Sequence, residues 1–157
     1  MSMPKKMRPY IGVIGAGKCS NKMRAVAEEV GKAIAEGGGI LVCGGLGGIM
    51  EAAAKDAWSK KGITIGILPE ISRNDANEYI DFIIPSGICE ARNLIVVRSS
   101  DVVIALPGKF GTLSEMAFCL KLGKPLASMS ARHISDGIEE FSEPVKAVER
   151  AFELAEK

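Results

Sequence analysis

Short apolar runs alternate along the chain with segments whose apolar residues recur at the helical period. Continuous apolar runs of roughly four to eight residues are typical of parallel strands that are buried on both faces. The intervening segments place their apolar residues on one face, which is typical of helices that pack on a sheet. The predicted strands are residues 10–14, 40–43, 64–68, 82–84, 102–106 and 126–129, and the predicted helices are residues 21–36, 49–60, 112–122 and 143–155, with a further short helix that carries Arg92.

This alternation predicts an α/β fold: a single domain over residues 1–157 with a Rossmann-like doubly wound parallel sheet and helices on both faces. Residues 1–8 are basic and are expected to form a flexible N-terminal tail. Residues 70–79 are polar and are expected to be irregular, and residues 131–140 are predicted to be a loop with a turn of strand. In such sheets, ligands bind beyond the carboxyl ends of the strands, where the strand order reverses.

Composition narrows the classes of partner. The formal net charge is +1 and the lysines and arginines are scattered, which argues against nucleic acid or an anionic membrane as the main partner. The N-terminus has no apolar signal segment and no apolar run reaches membrane-spanning length, so a cytoplasmic location is expected. The four cysteines lie far apart and there is one histidine, which predicts reduced thiols and no metal site.

Three glycine-rich turns follow three predicted strands and would project from the same edge of the sheet. They read GAGKCS, CGGLGG and PGKFGT. A turn that leads into a helix N-terminus offers unpaired backbone N–H groups and a positive dipole end to an anion. The candidate phosphate- or ligand-binding residues are Gly15, Gly17, Ser20, Gly44, Gly45, Gly47, Gly48, Met50, Gly108, Lys109, Gly111 and Thr112. The alternative is that the glycines only permit tight strand-to-helix connections.

The first turn approaches two phosphate-binding motifs without matching either. It lacks the third glycine of the dinucleotide fingerprint, and no acidic residue ends the second strand to hold a ribose. Counting from Gly12 gives G-x-x-x-x-G-K-C, one residue type away from a P-loop, but Gly12 falls within the predicted strand and Cys19 replaces the Ser or Thr that binds magnesium. Dinucleotide binding and triphosphate hydrolysis are therefore weaker interpretations than a backbone cradle for another ligand.

The third turn carries the candidate catalytic residues, Arg92 and Glu115. Arg92 lies on the short helix before the strand, and Glu115 lies in the first turn of a helix predicted to begin around Thr112. A cation and a carboxylate at an anion-binding edge could clamp a phosphate and act as an acid or base. Two alternatives stay open, because Thr112 and Glu115 have the spacing of a capping box and Arg92 could be a surface residue. Gly108 and Gly111 are expected to adopt backbone angles that other residues avoid.

The segment PGKFGTLSE, with Arg92 upstream, resembles the motif P-G-G-x-G-T-x-x-E of the LOG-like Rossmann family, once labelled putative lysine decarboxylases. That family includes the Lonely Guy cytokinin-activating phosphoribohydrolases and the molybdenum cofactor carrier proteins. VCGGLGGIMEAAAKDA is similar to the family's glycine-rich segment, and IGILPE with ANEYIDFIIPSGICEARN is most similar to the carrier subgroup. Lys109 stands where the family motif has its second glycine, and it would be strained if that position required a positive φ.

The resemblance implies a binding protein for a phosphorylated heterocycle, either a nucleotide or the molybdenum cofactor, and a homodimer. In the phosphoribohydrolases the residues that match Arg92 and Glu115 are catalytic, and the turn that matches residues 108–112 holds the 5′-phosphate. One alternative is therefore a phosphoribohydrolase that cleaves the N-glycosidic bond of a nucleoside 5′-monophosphate. Another is a dimeric interaction module without turnover. No residue pattern supports lysine decarboxylation.

Overall fold

The computed structural model describes residues 7–156, and its centre is one parallel sheet of seven strands. The strands are β1 (Tyr10–Ile14), β2 (Ile40–Cys43), β3 (Ile63–Leu68), β4 (Phe82–Pro85), β5 (Val102–Ala105), β6 (Leu126–Ser128) and β7 (Glu139–Glu140). The helices are α1 (Asn21–Glu36), α2 (Ile49–Ser59), α3 (Arg92–Ser99), α4 (Phe110–Leu122) and α5 (Pro144–Ala155). Apart from the start of α4, the element boundaries agree with the predicted ones to within one residue, and β7 is the turn of strand predicted within residues 131–140.

The strand order is β4-β3-β2-β1-β5-β6-β7, and all neighbouring strands are parallel. The chain builds outward from β1 through β4 and then returns to the other side of β1 as β5. The strand order therefore reverses between β1 and β5, and the loops that follow these two strands flank a crevice there. The predicted α/β class and Rossmann-like doubly wound sheet are confirmed.

Side chains of the central strands alternate between two apolar layers, because successive residues of a strand point to opposite faces. Ile11, Val13 and Leu41 pack in one layer with α1, α2 and α5. Val42 and Val103 pack in the other layer with α3 and α4. Helices thus cover both faces, and the two layers hold the strand ends in place at the crevice.

The predicted start of α4 is wrong by two residues, because the helix begins at Phe110. Lys109 occupies the N-cap position, and its side chain makes no capping hydrogen bond. Thr112 and Glu115 consequently do not form a capping box. Both lie within the helix and are buried. The face of α4 that carries them is therefore turned inward, and the alternative that Glu115 only caps the helix is wrong.

The expected N-terminal tail falls mostly on residues 1–6, which lie outside the described residues. The end of that segment contacts the rest of the protein, since Arg8 Nε donates a hydrogen bond to Gly38 O at 2.7 Å. Pro9 O accepts a hydrogen bond from Ile40 N at 2.8 Å. Within residues 7–156, no helix has both the length and the apolar character needed to cross a bilayer.

Candidate functional site

The three glycine-rich turns lie together at the carboxyl edge of the sheet. Ala16 N, in the turn after β1, donates to Pro107 O in the turn after β5 at 2.9 Å. Ala16 O accepts from Ile49 N at the start of α2 at 3.0 Å. The backbone of one residue therefore joins all three turns. They surround a pocket of about 550 Å³ at the reversal of strand order.

Nine of the predicted site residues line this pocket, and five do not. Those that line it are Gly15, Gly17, Gly44, Met50, Arg92, Lys109, Gly111, Thr112 and Glu115. Ser20 lies outside the pocket and caps α1, where its Oγ accepts from Met23 N at 3.2 Å. The others outside it are Gly45, Gly47, Gly48 and Gly108, which shape the turns. Gly48 has φ +62°, and a Cβ there would overlap Ala16 O.

Gly108, Gly111 and Lys109 differ from expectation in their backbone geometry. Neither glycine has a positive φ, so the predicted unusual angles are wrong. Gly108 is required for a different reason, because a Cβ on it would overlap Thr112 Oγ1 and lie 3.1 Å from Ala16 N. Lys109 has φ −108°, so this position does not require the positive φ that would strain a lysine.

Arg92 begins α3 and is buried, with 8% of its surface exposed. Among the described residues its Nε has no hydrogen-bond partner. Its guanidinium lies against the backbone of the second turn, since a Cβ on Gly44 would overlap Arg92 Nη1. The interpretation of Arg92 as a surface residue is therefore wrong. A buried cation without an acceptor is costly unless an anion completes its coordination.

Glu115 lines the same pocket from α4, with 6% of its surface exposed. Burial disfavours the charged carboxylate and raises the pKa of Glu115 to about 8, although the Arg92 charge partly opposes this shift. At neutral pH the carboxyl group is therefore mainly protonated and can donate a hydrogen bond or a proton. Burial also raises the pKa of Cys43 to about 11 and that of Cys119 to about 12, so both thiols near Glu115 stay neutral.

Several pocket-lining residues were not singled out by sequence reasoning. They are Val13, Ile14, Ala16, Lys18, Leu46, Pro69, Glu90 and Asn93. Asn93 is buried and its Nδ2 donates to Ser114 Oγ at 3.1 Å, which joins α3 to α4 beside the pocket. Lys18 could have been found from its place within the first glycine turn. Nothing in the local sequence distinguishes Asn93 from an exposed helical asparagine.

Asn77, in the polar segment between β3 and β4, holds the second glycine turn in place. Its Nδ2 donates to Leu46 O at 2.8 Å, and its backbone N donates to Gly45 O at 2.9 Å. Its Oδ1 accepts from Tyr79 N at 3.0 Å. Apart from a 3-10 helix at Arg73–Asp75, the segment is irregular, as predicted. Through Asn77 it satisfies two backbone carbonyl groups of the second glycine turn. Asn77 is a positioning residue for the pocket wall.

Comparison with known proteins identifies relatives over nearly the whole chain. The model of the SLOG cluster4 family matches residues 8–156. An uncharacterized protein of Archaeoglobus fulgidus is 45% identical over 138 residues, which cover 88% of this chain and 91% of that protein. The cytokinin riboside 5′-monophosphate phosphoribohydrolase of Mycobacterium tuberculosis is 39% identical over 95 residues. That match covers 58% of this chain and 50% of the phosphoribohydrolase.

Two solved structures share the architecture at full length. The molybdenum cofactor binding protein of the phototrophic bacterium Rippkaea orientalis superposes with a TM-score of 0.90 at 33% identity, covering 96% of this chain and 99% of that one. The molybdenum cofactor carrier protein of Chlamydomonas reinhardtii gives a TM-score of 0.88 at 32% identity, covering 96% and 100% of the two chains. The similarity therefore extends beyond the segment PGKFGTLSE to the whole fold.

Proposed function

The chain belongs to the SLOG cluster4 family, a LOG-like Rossmann family near the molybdenum cofactor carrier proteins, and from this premise we propose that its pocket binds a phosphorylated heterocyclic ligand. The ligand is a nucleotide or the molybdenum cofactor. The similarity to cofactor-binding proteins supports the class of ligand. The residues that bind it are inferred from this pocket alone.

This proposal rests on the buried Nε of Arg92, which has no hydrogen-bond partner among residues 7–156. Arg92 lines a pocket in which the neighbouring carboxyl group of Glu115 is mainly neutral at pH 7, because burial raises its pKa. No anion among the described residues is in ion-pair contact with the Arg92 guanidinium. An anionic ligand would supply the missing acceptor, and phosphate suits the planar donor set of arginine.

The start of α4 is the proposed cradle for the phosphate. Leu113 N donates to Lys109 O at 3.0 Å, so the N–H groups of residues 110–112 precede the first hydrogen bond of the helix. Gly111 and Thr112 line the pocket from this first turn. The helix dipole adds positive potential at the same place.

The apolar part of the pocket would take the heterocycle. Ile14, Leu46, Met50 and Pro69 line it. Its volume of about 550 Å³ lies within the range of roughly 300–1,000 Å³ that is typical of small-molecule sites. A flat ring can pack against Met50 and Leu46 while the phosphate lies at α4.

Gly44→Ala tests the proposal without removing any charged group. The new Cβ would displace the Arg92 guanidinium, so we expect binding of AMP or of the molybdenum cofactor to weaken by about tenfold, from the loss of roughly 1.4 kcal/mol. Calorimetric titration with AMP, adenosine and isolated molybdenum cofactor measures this effect. The matched control is Gly137→Ala, because a Cβ there meets only Ser135 Oγ, at 3.8 Å. Absence of binding by any phosphorylated compound, with the fold intact, would contradict the proposal.

A second candidate function is hydrolysis of the N-glycosidic bond of a nucleoside 5′-monophosphate. Arg92 and Glu115 share one pocket, and a phosphoribohydrolase is 39% identical over 95 residues. Water would add its oxygen to the anomeric carbon of ribose, and the base would leave with its electron pair and take up a proton. Glu115, protonated at pH 7 because burial raises its pKa, can donate that proton, and its anion can then accept the proton of the attacking water.

This second function predicts release of free adenine from AMP and loss of that activity, by at least about a hundredfold, in Glu115→Gln. Glutamine keeps the shape and the donor group but cannot transfer a proton. Chromatography of the reaction products measures the release. Equal rates in the two proteins would remove Glu115 from the mechanism.

The homodimer, the interaction module and the cytoplasmic location stay predictions. Phe110 and Leu120 on α4 are exposed apolar residues and are compatible with a dimer surface.

A further inference from the structure

Two lysines lie on adjoining walls of the pocket. Lys18 belongs to the turn after β1, and Lys109 precedes α4. The hydrogen bond from Ala16 N to Pro107 O, 2.9 Å long, joins the two turns. Lys18 lies two residues after Ala16, and Lys109 lies two residues after Pro107. Both lysines are exposed, and within residues 7–156 neither forms an ion pair. The two ammonium groups are therefore available to a ligand.

Together with Arg92, these two lysines bring more positive charge to the pocket than one phosphate group requires. The first turn of α4 and the Arg92 guanidinium already offer donors and positive charge for a single phosphate. Glu90 is the remaining carboxylate of the lining once Glu115 is protonated, as it mainly is at pH 7 because burial raises its pKa. In the described part of the pocket, three cationic side chains thus oppose one carboxylate. Such an imbalance favours a ligand with more than one anionic group.

Open space lies beside Lys18. Gly17 lines the pocket, and a Cβ on it would meet no heavy atom within 4 Å. Gly17 also lacks a positive φ, so neither packing nor backbone geometry requires a glycine there. Gly44, in contrast, is needed because the Arg92 guanidinium lies against it. The absence of a side chain at Gly17 leaves room at the rim for another part of a ligand.

We propose that Lys18 and Lys109 form a subsite for a second phosphate group, so that the preferred ligand is a diphosphate ester rather than a monophosphate. The proposal rests on the proposed function, because it takes the first phosphate to lie at the start of α4. The second phosphate extends toward the rim, between the two lysine side chains. Lysine suits this place because its compact charge and long flexible stem can follow a phosphate that no rigid backbone holds. Lys109, which stands in place of a family glycine, supplies half of the subsite.

The test compares one nucleoside at three levels of phosphorylation. Titration of the full chain with adenosine, AMP and ADP at fixed ionic strength is expected to give at least about tenfold tighter binding of ADP than of AMP. Lys18→Ala and Lys109→Ala should each reduce that preference by about threefold, and the double variant should abolish it, because each substitution lowers the affinity for ADP more than the affinity for AMP. Inorganic pyrophosphate should displace AMP at a lower concentration than inorganic phosphate does. Because pyrophosphate carries no base, this comparison tests the second phosphate position even if the natural ligand contains a base other than adenine. Higher salt should reduce the preference through screening.

Lys121→Ala is the matched control, because Lys121 is an exposed lysine in the last turn of α4 and does not line the pocket. Lys109 makes no capping hydrogen bond, so its removal should leave thermal unfolding unchanged and permit direct comparison of affinities. Equal affinity for AMP and ADP, unaltered in the lysine variants, would overturn the second subsite while leaving the proposed function standing. Failure of every phosphorylated compound to bind would overturn both.

Discussion

Replacement of Arg92 by methionine is expected to abolish the binding of phosphorylated ligands and, at the same time, to stabilise the empty protein. The affinity should fall by about thirtyfold or more, since removing one member of a buried, charged contact costs roughly 2–5 kcal/mol and each 1.4 kcal/mol or so is a factor of ten. The gain in stability should be about 1–3 kcal/mol, because the substitution removes a buried cation whose Nε has no hydrogen-bond partner in the described part of the chain. Methionine keeps an unbranched apolar stem and has no charge to desolvate. Calorimetric titration and urea denaturation of the ligand-free protein measure the two effects.

The matched control is Arg98→Met, because Arg98 lies in the last turn of the same helix, is exposed and does not line the pocket. It should change neither affinity nor stability by more than about 0.5 kcal/mol. If Arg92→Met bound AMP as well as the unchanged protein does, Arg92 would have no part in the site. If it unfolded readily, Arg92 would be a structural residue instead.

The free energy of unfolding is expected to decrease as the pH rises from about 5 to about 8, owing to Glu115. Burial raises the pKa of Glu115 from 4.5 to about 8 in the folded protein, so between these values the folded state binds more protons than the unfolded state. Stability then falls with increasing pH and levels off above the folded pKa. The total change should be several kcal/mol, since each pKa unit is worth about 1.4 kcal/mol. Denaturation in urea at intervals across this range measures it.

Glu115→Gln should remove the decrease, whereas Glu29→Gln, at an exposed position of α1, should retain it. Arg92→Met should shift the decrease to higher pH, because the Arg92 charge lowers the pKa of Glu115. The buried thiols of Cys43 and Cys119 stay protonated across the range, since burial raises their pKa values to about 11 and about 12. Stability that is independent of pH between 5 and 8 would show that Glu115 is ionised in the folded protein.

The fold was largely predictable because each element left a local pattern. Apolar runs such as residues 40–43 and helical periodicity such as residues 21–36 depend only on neighbours in the sequence, and both elements have the predicted bounds. The start of α4 was less predictable, since Thr112 and Glu115 have capping-box spacing. The packing of that helix face against the sheet overrides the local signal, so the helix begins at Phe110.

The sequence predicted where the glycine turns of the candidate site lie, but not why each glycine is needed. Three glycine turns after parallel strands must lie at one edge of the sheet, and they do. Gly44, Gly48 and Gly108 are nevertheless glycines for different reasons: an arginine lies against the first, and the others closely approach Ala16. No local pattern points to Asn77, because its partners, Leu46 O and Gly45 O, lie about thirty residues earlier in the chain.

The sequence by itself determined the succession of strands and helices along the chain and the edge of the sheet at which the glycine turns emerge. Through the segment PGKFGTLSE it also determined the family resemblance. These properties are carried by residues that lie close together in the chain. Only the tertiary structure decided that Arg92 is buried, with no partner for its Nε among residues 7–156, and that Glu115 is mainly protonated at pH 7 because burial raises its pKa. Burial and pairing depend on which surfaces β1, β2, α3 and α4 bring together. These are contacts between segments far apart in the chain, and no local pattern records them.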